Sequence, residues 1–142
     1  MRTHRIVPVA KPRMTQSDRW NQRPAVLRYR AFADAARASG LYVGPACGLV
    51  FYLPMPKSWG KKKRAGRDGR PHVQKPDLDN LVKSVFDATN PEDAWIWNLS
   101  TVQKRWAQDG AVVVLNWSEC LQHGRRLLEG ELTIEQLALL CS

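Results

Sequence analysis

Acidic residues at the start of a predicted helix carry the strongest chemical signal in this sequence. Asp77 and Asp79 follow a proline-containing loop, and Glu92 with Asp93 adds more carboxylate a short distance on. Hard divalent cations such as Mg²⁺ take oxygen ligands and keep waters and substrate phosphates in their remaining positions. Two acids spaced two residues apart can point into one cleft where the first helical turn is irregular. With a third carboxylate from the next strand, the pattern indicates a divalent metal site.

Each of these residues also has a purely structural interpretation. Asp77 can be the N-cap of its helix, a role worth about 1 kcal/mol. Asp79 can form an i,i+4 ion pair with Lys83, worth about 0.3 kcal/mol. Asn80 can orient a ligand carboxylate or simply satisfy the helix start. The structural interpretation must explain each residue separately, whereas a metal site explains them together, and both stay open at this point.

A strongly basic stretch immediately precedes the acids. Residues 57–75 hold eight Lys or Arg side chains against one acid, Asp68, with three glycines and almost no aliphatic residues to bury. This composition predicts a long exposed loop that is poorly ordered without a partner. Its position beside the acids favours contact with nucleic-acid phosphates over a merely solvated loop. The predicted phosphate contacts are Lys57, Lys61, Lys62, Lys63, Arg64, Arg67, Arg70 and Lys75.

The charge of the whole chain supports a nucleic-acid partner. The 142 residues include 22 Lys or Arg and 13 Asp or Glu, a formal charge of +9. No apolar run approaches the roughly 20 residues of a membrane-spanning helix. The polar N-terminus does not resemble a signal peptide, so we expect a protein of a bacterial-type cytoplasm that does not act at a membrane. Cys47, Cys120 and Cys141 are far apart, which indicates reduced thiols without disulfides or zinc.

Hydrophobic patterns place these features on alternating strands and helices. Leu81 and Val85 belong to the apolar stripe of the helix that follows the acids. Asp109-Gly110 predicts a tight hairpin between two strands. The predicted strands span residues 4–9, 46–54, 94–106 and 111–117, and the predicted helices span 23–39, 77–88, 118–128 and 133–141.

The order of these elements predicts an α+β fold. We expect one domain over residues 1–142, in which helices pack in a two-layer arrangement on a mostly antiparallel mixed sheet. Residues 57–75 form its basic loop and residues 118–142 a C-terminal helical extension. Four tryptophans fall within predicted strands, where positions in the core or on a dimer surface are favoured over base stacking. They are Trp95, Trp97, Trp106 and Trp117.

Two blocks of the sequence resemble a known family. The run from Lys75 to Lys83, followed by Phe-Asp-Ala, is similar to the signature of RusA-type Holliday junction resolvases, many of them encoded by phages and prophages. Residues 92–97, with Lys104 further along, resemble that family's second block, in which an Asp-Asp pair opens a strand that carries a later lysine. The resemblance covers roughly residues 46–115, extends loosely to the N-terminal strand and helix, and does not obviously reach beyond Trp117.

The resemblance implies a role for individual residues. Lys83 would assist cleavage of the phosphodiester. Glu92 stands where the family usually has the first acid of its pair, which gives it a supporting role beside the second acid. The implied cofactor is Mg²⁺, with Mn²⁺ able to substitute. The implied metal ligands are Asp77, Asp79 and Asp93.

The function expected from residues and resemblance together is a homodimeric, Mg²⁺-dependent, structure-selective endonuclease. It would act on four-way DNA junctions by paired symmetric nicks, since a junction presents two equivalent strands to a two-fold protein. One alternative is a non-enzymatic basic DNA-binding module in which the acids are caps and ion pairs. Another is a nuclease of the same fold that acts on other branched DNA or on flaps. Metal-dependent cleavage of DNA would exclude the non-enzymatic module. Comparison of cleavage across a panel of DNA substrates would distinguish a junction resolvase from a nuclease for flaps or other branched DNA.

Overall fold

The centre of the molecule is a four-stranded mixed sheet. The structure, a computed structural model, describes residues 1–90 and 92–142. The strands lie in the order β1-β4-β2-β3. The β2–β3 pair is parallel, and the β1–β4 and β2–β4 pairs are antiparallel, which confirms a mostly antiparallel mixed sheet. The strands are β1 (Arg2–His4), β2 (Ala46–Pro54), β3 (Asn98–Ala107) and β4 (Ala111–Asn116).

Within residues 1–90 and 92–142, five helices pack with this sheet, and the predicted α+β class is confirmed. A short 3₁₀ turn at Gln16–Arg19 precedes the first of them. None of the helices described has both the length and the apolarity that a membrane crossing requires. The helices are α1 (Pro24–Ala38), α2 (Lys61–Arg67), α3 (Leu78–Thr89), α4 (Trp117–Leu127) and α5 (Ile134–Leu140).

Strand β2 separates two hydrophobic clusters. Because successive side chains of a strand point to opposite faces, Leu49 and Phe51 pack with α1 and α3 on one face of the sheet. Val50 and Tyr52 pack with the C-terminal helices on the other face. The sheet with α1 and α3 supplies the two predicted layers, and α4 with α5 adds a third. Burial on both faces explains why β2 reads as a continuous apolar run.

Local sequence signals set the ends of the two helices that pack together. Helix α1 begins at Pro24, whose fixed φ suits the first helical position, and stops before Gly40, which has a φ of +72°. Helix α3 buries Leu81 and Val85 of its predicted apolar stripe, and Ala88 beyond it, against the core. Leu78 and Val82, the other members of the predicted stripe, are partly buried against the same cluster. The opposite side of α3 stays exposed, and it carries the acids.

The predicted hairpin between the last two strands is wrong. Although Asp109-Gly110 connects β3 to β4, strand β2 lies between them and pairs with both. The chain from β2 to β3 passes through α2 and α3, and this crossover places β3 parallel to β2 on the outer edge. Strand β4 then returns to the other side of β2. The Asp109-Gly110 signal correctly marks a reversal of the chain, but it cannot show that the two strands it connects lie on either side of β2.

The predicted long loop over 57–75 is also wrong, because most of it is ordered against the rest of the protein. Its middle forms helix α2, and its end runs beside β3. The backbone N–H of Gly69 donates to Trp106 O at 2.9 Å, and the N–H of His72 donates to Lys104 O at 2.9 Å. His72 is buried, with its ring 4.0 Å from that of Trp106. Pairing with a strand edge thus orders a segment that has few aliphatic side chains.

Gly69 joins this segment to the C-terminal extension. Its φ is +76°, and a Cβ there would lie 2.6 Å from the backbone nitrogen of Thr133. The Gly69 carbonyl accepts hydrogen bonds from Leu132 N at 3.0 Å and from Arg105 Nη1 at 2.7 Å. Only glycine satisfies both the backbone angle and the close approach.

Several smaller predictions are also corrected. The first strand spans Arg2–His4 rather than 4–9, since Pro8 removes a backbone donor. Trp106 is a buried strand residue, whereas Trp95 and Trp97 precede β3 and Trp117 opens α4, all three exposed. Their predicted place within strands is therefore wrong. Thr133 caps α5, accepting from Gln136 N at 3.1 Å. The three cysteines are free.

Candidate active site

Asp77 occupies the N-cap position of α3, but its carboxylate does not cap the helix. The residue has extended backbone angles, φ −70° and ψ 143°, and makes no side-chain bond to the helix N–H groups. Instead, Lys75 Nζ donates to its two oxygens at 2.7 and 2.9 Å. These hydrogen bonds from Lys75 hold the pKa of Asp77 below its usual value. The carboxylate is thus ionised, exposed and not used by the helix.

Asp79 and Lys83 lie one turn apart on the exposed side of α3. The structural interpretation expects an ion pair between them. Among the residues that the structure describes, the ion pairs include none between Asp79 and Lys83. Neither structural interpretation of the acids is therefore realised, because Asp77 caps no N–H and Asp79 pairs with no neighbouring lysine.

Lys104 fixes the loop that leads into α3. Its Nζ donates to the carbonyl of Pro76 at 2.6 Å and also to the carbonyl of Gln74. The same ammonium contributes, after Lys75, to lowering the pKa of Asp77. This lysine belongs to the second block of the family resemblance, which implies no role for it. Its function as a support for the loop depends on a contact between residues far apart in sequence.

Lys83 opens onto a cleft that sequence reasoning missed. The cleft has a volume of about 490 Å³ and lies between α3 and the segment that precedes α1. Lys11 joins the two walls, because its N–H donates to Asn80 O at 3.1 Å and its ammonium pairs with Asp87. The only sequence feature that points to this cleft is the pair of basic residues, Lys11 and Arg13, in the N-terminal segment. The residues that line the cleft are Lys11, Pro12, Arg13, Met14, Asn80 and Lys83.

Asp93 and Glu92 lie apart from any strand, in the connection between α3 and β3. Both are exposed, and the backbone carbonyl of Asp93 accepts from Ile96 N at 3.1 Å. Over residues 1–90 and 92–142, no three His, Cys, Asp or Glu side chains are grouped so as to hold a metal ion. The structure thus brings Asp77, Asp79 and Lys83 to the start of one helix and does not gather Asp93 with them.

The predicted DNA-contacting residues differ in their accessibility. Arg64 is partly buried and donates to the carbonyls of Pro56 at 2.9 Å and Trp59 at 3.1 Å, so it holds α2 in place. Lys63 lies 4.4 Å above the Trp59 ring, and Arg70 lies 3.9 Å from Glu131. The remaining predicted contacts are exposed on or beside α2 and before α3. They are Lys57, Lys61, Lys62, Arg67 and Lys75.

Fold and site define a basic α+β protein in which lysines and exposed carboxylates lie at the start of one helix. A family model, Endodeoxyribonuclease RusA, matches residues 6–115. The chain therefore belongs to the RusA family of endodeoxyribonucleases. A search of curated proteins found no match, and neither did a search of solved structures. The family match contains α1 to α3 and ends in β4, so α4 and α5 lie outside it.

Proposed function

We propose that this chain is a Mg²⁺-dependent, structure-selective endonuclease that resolves four-way DNA junctions by paired nicks. Membership of an endodeoxyribonuclease family supports DNA as the substrate. The observation that carries the proposal is the state of Asp77 and Asp79. Both carboxylates stand exposed at the start of α3. Within the described residues, Asp77 is held only by the exposed Lys75 and caps no helix N–H, and Asp79 forms no ion pair with Lys83.

The donor set at this helix start suits Mg²⁺. This ion prefers oxygen ligands and is commonly bound by one or two carboxylates, with waters and substrate phosphates in its other positions. Asp77 and Asp79 would hold the ion, and Asp93 would supply a third carboxylate from the connection after α3. Asn80 and Glu92 would orient these ligands. When bound, the ion neutralises nonbridging phosphate oxygens and lowers the pKa of water, and Mn²⁺ would supply the same chemistry.

Lys83 would stabilise the charge that develops on the phosphate. It lies one helical turn beyond Asp79 and is open to the cleft beside α3. An ammonium that no neighbouring acid neutralises is available to a phosphate oxygen, and a preorganised cation acts most strongly on charge formed during the reaction. The exposed lysines and arginines of α2 would hold the flanking DNA backbone.

Action as a homodimer is part of the proposal. Paired nicks require two active sites that reach symmetry-related strands, and a two-fold dimer supplies two equivalent sites. Sedimentation of the free protein and of its complex with a four-way junction would measure this directly. A single protein chain bound per junction would contradict the dimer while leaving nuclease activity unaffected.

One cleavage experiment separates the proposal from its alternatives. The purified protein is incubated with labelled four-way junction, linear duplex and flap, each with Mg²⁺ and with a chelator. We expect paired nicks in the junction, with Mg²⁺ only. Cleavage of flaps in preference to junctions would favour a nuclease for other branched DNA. Binding of all three substrates without cleavage would favour the basic DNA-binding module.

A further inference from the structure

The cleft between α3 and the segment that precedes α1 is lined by cationic side chains. Of the described residues that line the cleft beside α3, three are cationic and none is acidic. The ammonium of Lys11 is already paired with Asp87. The guanidinium of Arg13 is exposed and takes part in none of the ion pairs found in the described residues. Arg13 and Lys83 therefore give the cleft its unneutralised charge.

A buried ionic clamp holds this segment in place. Asp18, which is 2% exposed, accepts from Arg23 Nε at 2.7 Å and from Thr15 N at 2.7 Å. Arg23 also donates from Nη2 to the backbone carbonyl of Arg13 at 2.8 Å. The hydrogen bonds from Arg23 and Thr15 hold the pKa of Asp18 far below its usual range. The backbone that carries Arg13 is thus fixed in the free protein.

A second cleft continues from the first and displays a tryptophan. Met14 lines both clefts, and the second is also lined by Arg19 and Trp20. The Trp20 side chain is 83% exposed, at the end of the clamped 3₁₀ turn. Single exposed apolar side chains are common on protein surfaces, so it is the place of Trp20 beside the basic cleft that distinguishes it. An aromatic face beside a basic groove is the arrangement by which proteins bind unstacked bases of single strands.

We propose that residues 11–20 form a binding strip for one DNA strand that passes the active site. Arg13 and Lys83 bind its phosphates in the first cleft, and Trp20 stacks on an unpaired base in the second. This inference rests on the proposed function and names the part of the substrate that the strip recognises. A branch point offers strand segments whose bases are not fully stacked, whereas linear duplex does not. The strip would therefore favour branched over linear DNA.

Arg13→Gln tests the phosphate contact without disturbing the clamp, because Arg23 bonds the backbone carbonyl of Arg13 and not its side chain. Junction affinity is measured in chelator between about 50 and 200 mM salt. The log–log slope should fall by about 0.7 to 0.9, a loss of about 5- to 8-fold in affinity at 0.1 M salt. Arg13→Lys should restore the slope. Arg125→Gln, an equal charge change on exposed α4, should leave it unchanged.

Trp20→Ala tests the stacking contact. Its affinity for the four-way junction should fall at least about fivefold, while its affinity for linear duplex changes much less. Trp20→Phe should keep most of the preference, because it retains an aromatic face. Trp117→Ala is the matched control, since Trp117 is exposed on the opposite layer of the molecule. Thermal unfolding of every variant confirms that the comparison is between folded proteins.

The outcomes separate this inference from the proposed function. An Arg13→Gln slope equal to wild type, or an equal fall in Arg125→Gln, overturns the phosphate contact even if the wild type cleaves junctions. Equal losses of junction and duplex binding in Trp20→Ala overturn the stacking contact. If Arg13→Gln and Trp20→Ala behave as expected but the wild-type protein cleaves no DNA, the binding strip is supported and the proposed nuclease activity is contradicted.

Discussion

At the scale of single residues, the exposed carboxylates at the start of α3 decide whether this helix is catalytic. Asp77→Asn should abolish junction cleavage and leave junction binding intact or tighter, because it removes a ligand charge and some repulsion of DNA. Its melting temperature should change little, since the carboxylate contacts only exposed Lys75 and caps no helix N–H. Single-turnover cleavage, gel-shift binding and thermal unfolding measure the three properties.

Asp34→Asn is the control for that change. Asp34 is an exposed acid on α1 that pairs with Arg37 at 2.8 Å, so its neutralisation should alter neither cleavage nor stability appreciably. Asp79→Asn should behave as Asp77→Asn does. Full activity in Asp93→Asn would remove Asp93 from the ligand set and make Glu92 the next candidate. Loss of folding in both α3 variants would restore the structural interpretation.

Lys83→Ala should slow cleavage far more than it lowers stability. Loss of a group that stabilises developing charge costs about 3 to 4 kcal/mol of barrier. An exposed i,i+4 ion pair would contribute only about 0.3 to 0.5 kcal/mol, and Lys83 forms none with Asp79. Lys83→Arg should recover part of the rate, because it keeps the charge with a different reach. Wild-type single-turnover rates in Lys83→Ala would exclude a catalytic role.

At the scale of secondary-structure elements, helix α2 divides its basic residues between two tasks. Arg64→Ala should destabilise the protein by about 1 to 2 kcal/mol, since its guanidinium donates to two backbone carbonyls. Lys62→Ala, an exposed neighbour, should leave stability unchanged and lower the salt dependence of DNA binding by about 0.9 per lost contact. Urea unfolding and binding at several salt concentrations measure both effects. Loss of stability in Lys62→Ala, with none in Arg64→Ala, would show that Lys62 rather than Arg64 holds the helix.

The segment that pairs with β3 makes stability depend on pH. Burial and the nearby charge of Lys104 lower the pKa of His72, and its ring nitrogen accepts from Gln74 N at 3.4 Å when neutral. The unfolded chain therefore binds this proton more readily than the folded one, and stability falls as the pH drops below about 6.5. Urea unfolding between about pH 7 and 5 should show this fall. In His72→Phe, the free energy of unfolding should depend less steeply on pH. An unchanged pH dependence in this variant would show that His72 is not its source.

The elements that the sequence predicts well are those whose signal is local. Helices α1 and α3 follow from apolar periodicity and their end residues, and β2 follows from its apolar run. Helix α2 has no apolar stripe, so its order depends on contacts with Trp59 and the preceding backbone. The position of β3 beyond β2 depends on pairing between distant strands, which no local pattern encodes.

The same distinction applies to the candidate site. Asp77, Asp79 and Lys83 lie within one contiguous run, and the sequence identifies them directly. Lys104 reaches the site from β3, and Arg13 reaches it from the segment before α1. Their contributions come from tertiary contacts, which composition and spacing cannot show. The relation of Asp93 to the other acids is likewise a matter of tertiary geometry.

At the scale of the whole molecule, the C-terminal helices α4 and α5 stabilise the protein by covering the face of the sheet opposite α1 and α3. Leu137 is 0% exposed in the second hydrophobic cluster, whereas Leu139 on the same helix is 77% exposed. Leu137→Ala should lower the free energy of unfolding by about 2 to 5 kcal/mol, and Leu139→Ala by less than about 0.5 kcal/mol. Urea unfolding checks both values. Similar small losses in the two variants would show that the extension is dispensable for stability.

The pairing of β1 with β4 has a consequence for biosynthesis. Residues Arg2–His4 leave the ribosome well before β4, yet their partners there are Val112, Val113 and Val114. Until those valines are translated, β1 has no strand to join and one edge of β2 stays open. Such late, non-local pairing is slow and leaves apolar strands exposed to association. A nascent chain halted before Ala111 would therefore carry the acids of α3 on an unfinished sheet, dependent on chaperones until translation resumes.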